Sequence, residues 1–239
     1  MRILIIDDER PTLEMLALFL GAYGYDVLSA ENGAQGVELF KAHRPEIVMT
    51  DIKMPGLDGI EVLKRIKAVD SATEVIVVTG HGDMDLAVKA LNLNATDFIN
   101  KPIQKDALEA ALKRARERLA NARQSGNAVS IDVQGHIAIM SVKGNVTARS
   151  EASLQEAYNR IIGMELHNVV LRFDENATIN GAGIALLTQL LLEGAKKGQK
   201  VAITGVSDNF QKVFDIVGIT RFAKLYDSTE NAMASFGSA

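Results

Sequence analysis

The chain has 239 residues, a formal net charge of −4, 47% hydrophobic and 23% charged residues, a length that predicts two domains and a balance that excludes intrinsic disorder. Residues 1–123 carry 16 basic against 19 acidic side chains and residues 124–239 carry 10 against 11, so neither half has the cationic surplus that binding to a DNA backbone needs. The lack of cysteine excludes disulfides, thiolate metal sites and a cysteine nucleophile; no apolar run reaches the roughly 18 residues of a membrane span, and Met1-Arg2 precedes too short an apolar run for a signal peptide, so a cytoplasmic location is expected.

From Met1 to Arg123 strand and helix patterns alternate. Strands are expected near 3–7, 26–30, 46–50, 74–78 and 96–100, and helices near 12–22, 34–43, 58–68, 84–92 and 105–123. Short apolar runs between helical patterns read as buried parallel strands. Each of four runs stops at a residue with chemistry: Ile3 to Ile6 before Asp7-Asp8, Ile47 to Met49 before Asp51, Val75 to Val78 before Thr79, and Phe98-Ile99 before Lys101. Open parallel sheets bind ligands at the carboxyl ends of their strands, so these residues are expected to converge. Pro11 is expected just before the first helix, and Asp83 is expected to cap the fourth through a side-chain oxygen.

In the fifth helix, Leu108, Leu112, Ala115, Leu119 and Ala122 recur at steps of four and three. That stripe fits either a helix packed on its own sheet or a dimerising, signalling helix. Gln124-Ser125-Gly126-Asn127 breaks the pattern and is expected to be a linker, 124–127, between domains at 1–123 and 128–237. Beyond it, Val129, Ile131 and Val133, then Ile137 and Ile139, predict a hairpin turning at Gly135. An amphipathic stretch from Ser153 to Met164 follows, then a strand at 168–173, a helix over 182–197, a strand at 200–205 and helices near 208–217 and 228–236. Both domains are expected to be α/β: a flavodoxin-like doubly wound sheet of five parallel strands, then a smaller α/β domain with a mixed sheet.

Asp7, Asp8, Glu9 and Asp51 brought together would repel, since clustered carboxylates do not all stay ionised without compensation. A cation resolves the conflict, and oxygen-only ligands on strand-end loops suit magnesium. Lys101 adds a positive charge and Thr79 a hydroxyl donor. Together they form a receptor for a phosphoryl group on a carboxylate, with aspartate as the nucleophile. Asp51, ending the central strand, is the acceptor this reading selects.

Residues 1–123 resemble a response-regulator receiver domain, through Ile5-Ile6-Asp7-Asp8-Glu9, the run from Thr50 through Asp51, Lys53, Pro55 and Asp58 to Gly59, Val78-Thr79-Gly80 and Lys101-Pro102. By that resemblance Asp51 takes phosphate from a histidine kinase, Asp7 and Asp8 organise magnesium, and the backbone carbonyl of Lys53 completes the metal shell. Thr79 and Lys101 sense the phosphoryl group. Phe98 occupies the position of the family's switch aromatic, which turns inward as the threonine moves, or else is a plain core residue. Lys53 and His81 stand where the family's side chains tune the lifetime of the phosphate.

Residues 128–237 resemble a STAS domain, the fold of anti-sigma factor antagonists, through Val169 to Asp174, Ile179 to Leu187, Val201 to Thr204 and Val217-Gly218-Ile219. The family usually reads Asp-Ser-Ser-Gly where Asn180-Gly181-Ala182-Gly183 stands here, and Ala182 has no hydroxyl for a partner kinase to phosphorylate. Asn180, Gly181, Ala182 and Gly183 are therefore either a partner-docking loop stripped of its serine switch or merely a tight turn. The resemblances imply a two-component regulator in which phosphorylated Asp51 gates protein binding by the STAS domain, to an anti-sigma factor of the ATPase-kinase type. The alternative is a scaffold whose output is a homodimer formed through the 105–123 helix. Neither reading makes the second domain an enzyme, a DNA binder or a membrane protein.

Overall fold

The computed structural model describes residues 1–80, 82–121, 129–174 and 177–237, without the side chains of Asn121 and Arg149. The expected linker at 124–127, residues 122 and 123 of the expected helix 105–123, and His81 lie outside the described residues. The chain divides into two compact units, Met1–Gln124 and Ser125–Ala239.

The first unit runs β1 (Arg2–Ile6), α1 (Arg10–Ala22), β2 (Asp26–Ala30), α2 (Gly33–His43), β3 (Ile47–Asp51), α3 (Gly59–Val69), β4 (Glu74–Thr79), α4 (Met84–Asn92), β5 (Asp97–Asn100) and α5 (Lys105–Asn121). Its sheet is parallel throughout, in the order β2-β1-β3-β4-β5, the flavodoxin-like arrangement. Every residue of β3 and β4 is buried, because helices cover both faces; alternation of apolar and polar residues would have left polar groups facing those helices. On one face, Leu13, Leu16 and Leu20 of α1 and Leu108, Ala111, Leu112 and Ala115 of α5 close over Ile3, Ile5, Met49, Ile76, Val78 and Ile99.

That packing decides the role of the α5 stripe. Leu108, Leu112 and Ala115 are buried in their own sheet's core and Leu119 packs partly against it, so these residues offer no separate seam; Ala122 lies outside the described residues. Pro11 falls inside the first turn of α1 rather than ahead of it, where its missing N–H costs nothing. Asn32 and Asp58 cap α2 and α3 by accepting from Gln35 N (2.9 Å) and Glu61 N (2.8 Å). Asp83 stands at the N-cap of α4 but makes no such bond, a correction to the expected cap.

The second unit runs β6 (Val129–Gln134), β7 (Ile137–Val142), β8 (Asn145–Val146), α6 (Glu151–Gly163), β9 (Asn168–Phe173), β10 (Thr178–Ile179), α7 (Gly181–Lys196), β11 (Lys200–Thr204), α8 (Asp208–Ile216), β12 (Ala223–Tyr226) and α9 (Thr229–Ala234). Its main sheet, β12-β11-β9-β7-β6, is mixed: β6 and β7 form an antiparallel hairpin and the rest is parallel. Gly135 makes the hairpin turn at φ 59, a backbone region that favours glycine. α9 lies on one face, with Ala232, Met233 and Phe236 against Ile137, Ile139, Val170 and Ala202. Three strands were not read from sequence. β8 and β10 have two residues each and pair only with one another, too short for any periodicity to register. β12 is an edge strand, with Lys224 exposed and Leu225 and Tyr226 half-buried. No described helix is long and apolar enough to cross a membrane.

Candidate functional site

The carboxyl ends of β1, β3, β4 and β5 do bring the strand-end residues of the first unit together. Asp7, Asp8 and Asp51 each present a carboxylate oxygen, all within 4.8 Å of one another. Asp7 and Asp51 are buried, while Asp8 is exposed. The loop after β3 turns back sharply: Gly59 N donates to Ile52 O at 2.9 Å, and a Cβ on Gly59 would lie 2.0 Å from the Asp51 carbonyl oxygen. Glycine is therefore obligatory at that approach. Beside the cluster a groove of about 530 Å³ opens, lined by Asp8, Ile52, Lys53, Met54, Leu86 and Lys89 among others.

Lys101 offsets part of the carboxylates' charge. Its Nζ lies 2.8 Å from Asp51 Oδ2, 3.2 Å from Asp7 Oδ2 and 3.3 Å from Glu9 Oε2. Burial works against the Lys101 charge, but the hydrogen bond and charge of Asp51, then those of Asp7, hold its pKa above the ordinary lysine value. Burial raises the Asp7 carboxyl, opposed by the Glu9 N–H and by Lys101 and reinforced by Asp51. The exposed Glu9 carboxyl is lowered by its hydrogen bond to Lys101 and by that residue's charge. With one cation among several acids, a second cation remains favourable here. Three convergent carboxylates with an exposed side and no nitrogen or sulfur donor fit magnesium.

Thr79, at the end of β4, is 1% exposed and donates its hydroxyl to Asn100 Oδ1 at 2.9 Å. Phe98 is fully buried on β5. Lys53 N lies 3.4 Å from Asp51 Oδ1, which keeps the Lys53 backbone beside the Asp51 carboxylate. The Lys53 side chain turns away, its Nζ 2.8 Å from Asp83 Oδ1.

The loop ahead of α7 is built around close approach. Asn180 Oδ1 accepts from Gly183 N at 2.9 Å, and Asn180 N donates to Val146 O at 3.1 Å. A Cβ on Gly183 would lie 2.3 Å from that same carbonyl oxygen. Gly183 is thus required by space, whereas Ala182 is exposed and Gly181 half-buried. The preceding hydroxyl, on Thr178, is buried and donates to Asn145 Oδ1 at 2.8 Å.

Sequence reasoning missed Asn100 and Asp83 as neighbours of the site. The strand-end position of Asn100, next to Lys101, is the signal that marks it. It also missed a buried charge array at the far ends of the strands. Arg114 Nε donates to the fully buried Asp97 Oδ2 at 2.6 Å, and Arg118 Nε lies 2.9 Å from Glu74 Oε2.

The family described as response regulator receiver domain matches residues 3–113, and the family described as STAS domain matches residues 128–232. Chemotaxis protein CheY of Bacillus subtilis is 40% identical over 114 residues, covering 47% of this chain and 95% of that protein. Sporulation initiation phosphotransferase F of the same organism is 35% identical over 113 residues, 47% of this chain and 91% of that protein. Transcriptional regulatory protein FixJ of Bradyrhizobium diazoefficiens is 30% identical over 198 residues, 79% of this chain and 96% of that protein. A crystal structure of a response regulator receiver domain protein from Clostridium thermocellum matches with TM-score 0.48 and 32% identity, over 51% of this chain and 96% of that one.

Proposed function

The chain belongs to the response regulators, with a receiver domain followed by a STAS domain, and from that membership we propose that Asp51 is its phosphoacceptor and that phosphorylation there controls protein binding by the STAS domain. The observation that carries this is the placement of Asp51 at the end of the central strand, within reach of two further carboxylates and 2.8 Å from Lys101. An Asp51 oxygen attacks the phosphorus of a phosphohistidine on a histidine kinase. The new P–O bond forms as the P–N bond breaks, and its electron pair leaves with the imidazole. Asp7, Asp8, Asp51 and the Lys53 backbone carbonyl would hold magnesium, which when bound would neutralise charge on the phosphoryl oxygens. Lys101 holds the acceptor oxygen and then one phosphoryl oxygen, and Thr79 donates to another.

The STAS domain is read as the output, binding an anti-sigma factor at the Asn180–Gly183 loop. With no hydroxyl on Ala182 and that of Thr178 buried, control passes from this loop to Asp51. The scaffold alternative draws no support from α5, whose apolar stripe is used in its own core. Cytoplasmic location agrees with the absence of a membrane-spanning helix among the described residues.

Intact mass after incubation with a small acyl phosphate and magnesium tests the acceptor: one added phosphoryl group on the wild type and none on Asp51→Asn. Equal labelling of both refutes the assignment. For the output, affinity for an ATPase-type anti-sigma factor is expected to change on adding beryllofluoride and magnesium to the wild type but not to Asp51→Asn. The same response in both refutes the coupling.

A further inference from the structure

We propose that Asn100 is a positioning residue that holds Thr79 in its resting arrangement, an inference that rests on the phosphoacceptor reading of Asp51. Thr79 ends β4 and Asn100 ends β5, and the parallel register sets the two opposite one another, on one face of the sheet. Alternation along the strand puts Phe98, the expected switch aromatic, on that same face. The Thr79 hydroxyl donates to Asn100 Oδ1 at 2.9 Å from a position only 1% exposed. A hydroxyl has a single proton to give. Donation to an oxygen of a phosphoryl group on Asp51 therefore requires the bond to Asn100 to break, so Asn100 stabilises the form in which Asp51 carries no phosphoryl group.

The backbone does not impose this arrangement on the hydroxyl. Thr79 O accepts from Lys101 N at 2.7 Å, which ties the two strand ends together through main-chain atoms. The Thr79 side chain is held separately, by the Asn100 amide. Removing the amide leaves strand pairing intact and takes away one polar tie of the resting form.

The test is a calorimetric titration of the full chain with beryllofluoride at saturating magnesium, for wild type, Asn100→Leu, Asn100→Ala, Thr79→Val and the Thr79→Val/Asn100→Leu double variant. Asn100→Leu and Asn100→Ala are expected to bind about five-fold tighter than wild type, the factor that one net hydrogen bond supports. The gain is expected to vanish in the Thr79→Val background. In the ligand-free Asn100 variants, the Thr79 backbone amide resonance is expected to move toward its beryllofluoride-bound position. Binding equal to or weaker than wild type, or the same gain without the Thr79 hydroxyl, overturns the inference while leaving the acceptor reading in place. Failure of the wild type to bind beryllofluoride overturns the acceptor reading and the inference with it.

Discussion

Lys53 and Asp83 form an ion pair at 2.8 Å between the loop that follows Asp51 and the turn that opens α4. The Asp83 carboxylate is thereby taken from the N-cap role its position offers. This distinguishes two expectations for Asp83→Ala. Loss of a capping side chain costs about 1 kcal/mol, whereas loss of a pair with one exposed partner costs roughly 0.5 kcal/mol and fades with salt. Urea melts of Asp83→Ala, Lys53→Ala and the double variant at low and high salt are expected to show the smaller, salt-sensitive loss, shared between the two residues. A salt-independent loss at the capping value, unaffected by Lys53, would contradict the pairing.

The buried pair of Asp97 and Arg114 is expected to dominate mutational losses in the receiver. Arg114→Met leaves the fully buried Asp97 carboxylate without its guanidinium, a change of about 3–5 kcal/mol. Replacing both residues with apolar ones is expected to recover much of that loss. Chemical denaturation of the single and double variants checks this, and strictly additive losses would count against it.

Position 183 is expected to tolerate nothing beyond glycine, and position 182 to tolerate serine freely. Gly183→Ala drives a Cβ into the Val146 carbonyl, an overpacking cost of about 1–3 kcal/mol. Ala182→Ser, at an exposed position, is expected to stay within about 0.5 kcal/mol of wild type. Thermal unfolding of the two variants gives the comparison; equal losses would show that the close approach is not what constrains the loop.

Burial pushes the Lys67 ammonium down to about 8, with Glu74 opposing and Arg118 adding to the fall. Lys67 Nζ donates to Thr73 O at 2.7 Å. Between pH 8 and the ordinary lysine value of 10.5 the unfolded chain holds a proton that the folded chain has released, so stability rises with pH across that window. Below it the cost of the buried charge is fully present. Relative to Lys67→Met, the wild type is expected to gain on the order of 1–2 kcal/mol between pH 7 and pH 10, read from paired urea melts. A stability gap that does not move with pH would refute it.

The strand-end residues of the receiver were legible because one signal repeats: an apolar run that stops at a chemically active side chain. The sheet order then forces Asp7, Asp51, Thr79 and Lys101 to one edge. The Thr79–Asn100 bond was not legible, since it depends on the register between β4 and β5, which alternation within each strand leaves undetermined. Arg114 falls between apolar stripe positions and gives no sequence signal of burial, because only its partner on a neighbouring strand makes burial tolerable. Asp83 carried a correct positional signal for a cap, but a lysine thirty residues earlier in the chain competes for the carboxylate.

Ala182, exposed in the first turn of α7, leaves room for a side chain that Gly183 beside it cannot accommodate. With Asp51 read as the phosphoacceptor, a single change of the Ala182 methyl to a hydroxymethyl would add a second candidate acceptor of unlike chemistry to one polypeptide. The aspartyl anhydride expires by hydrolysis, while a serine ester persists until a phosphatase cuts it. Such a chain would keep a brief record of one stimulus and a lasting record of another.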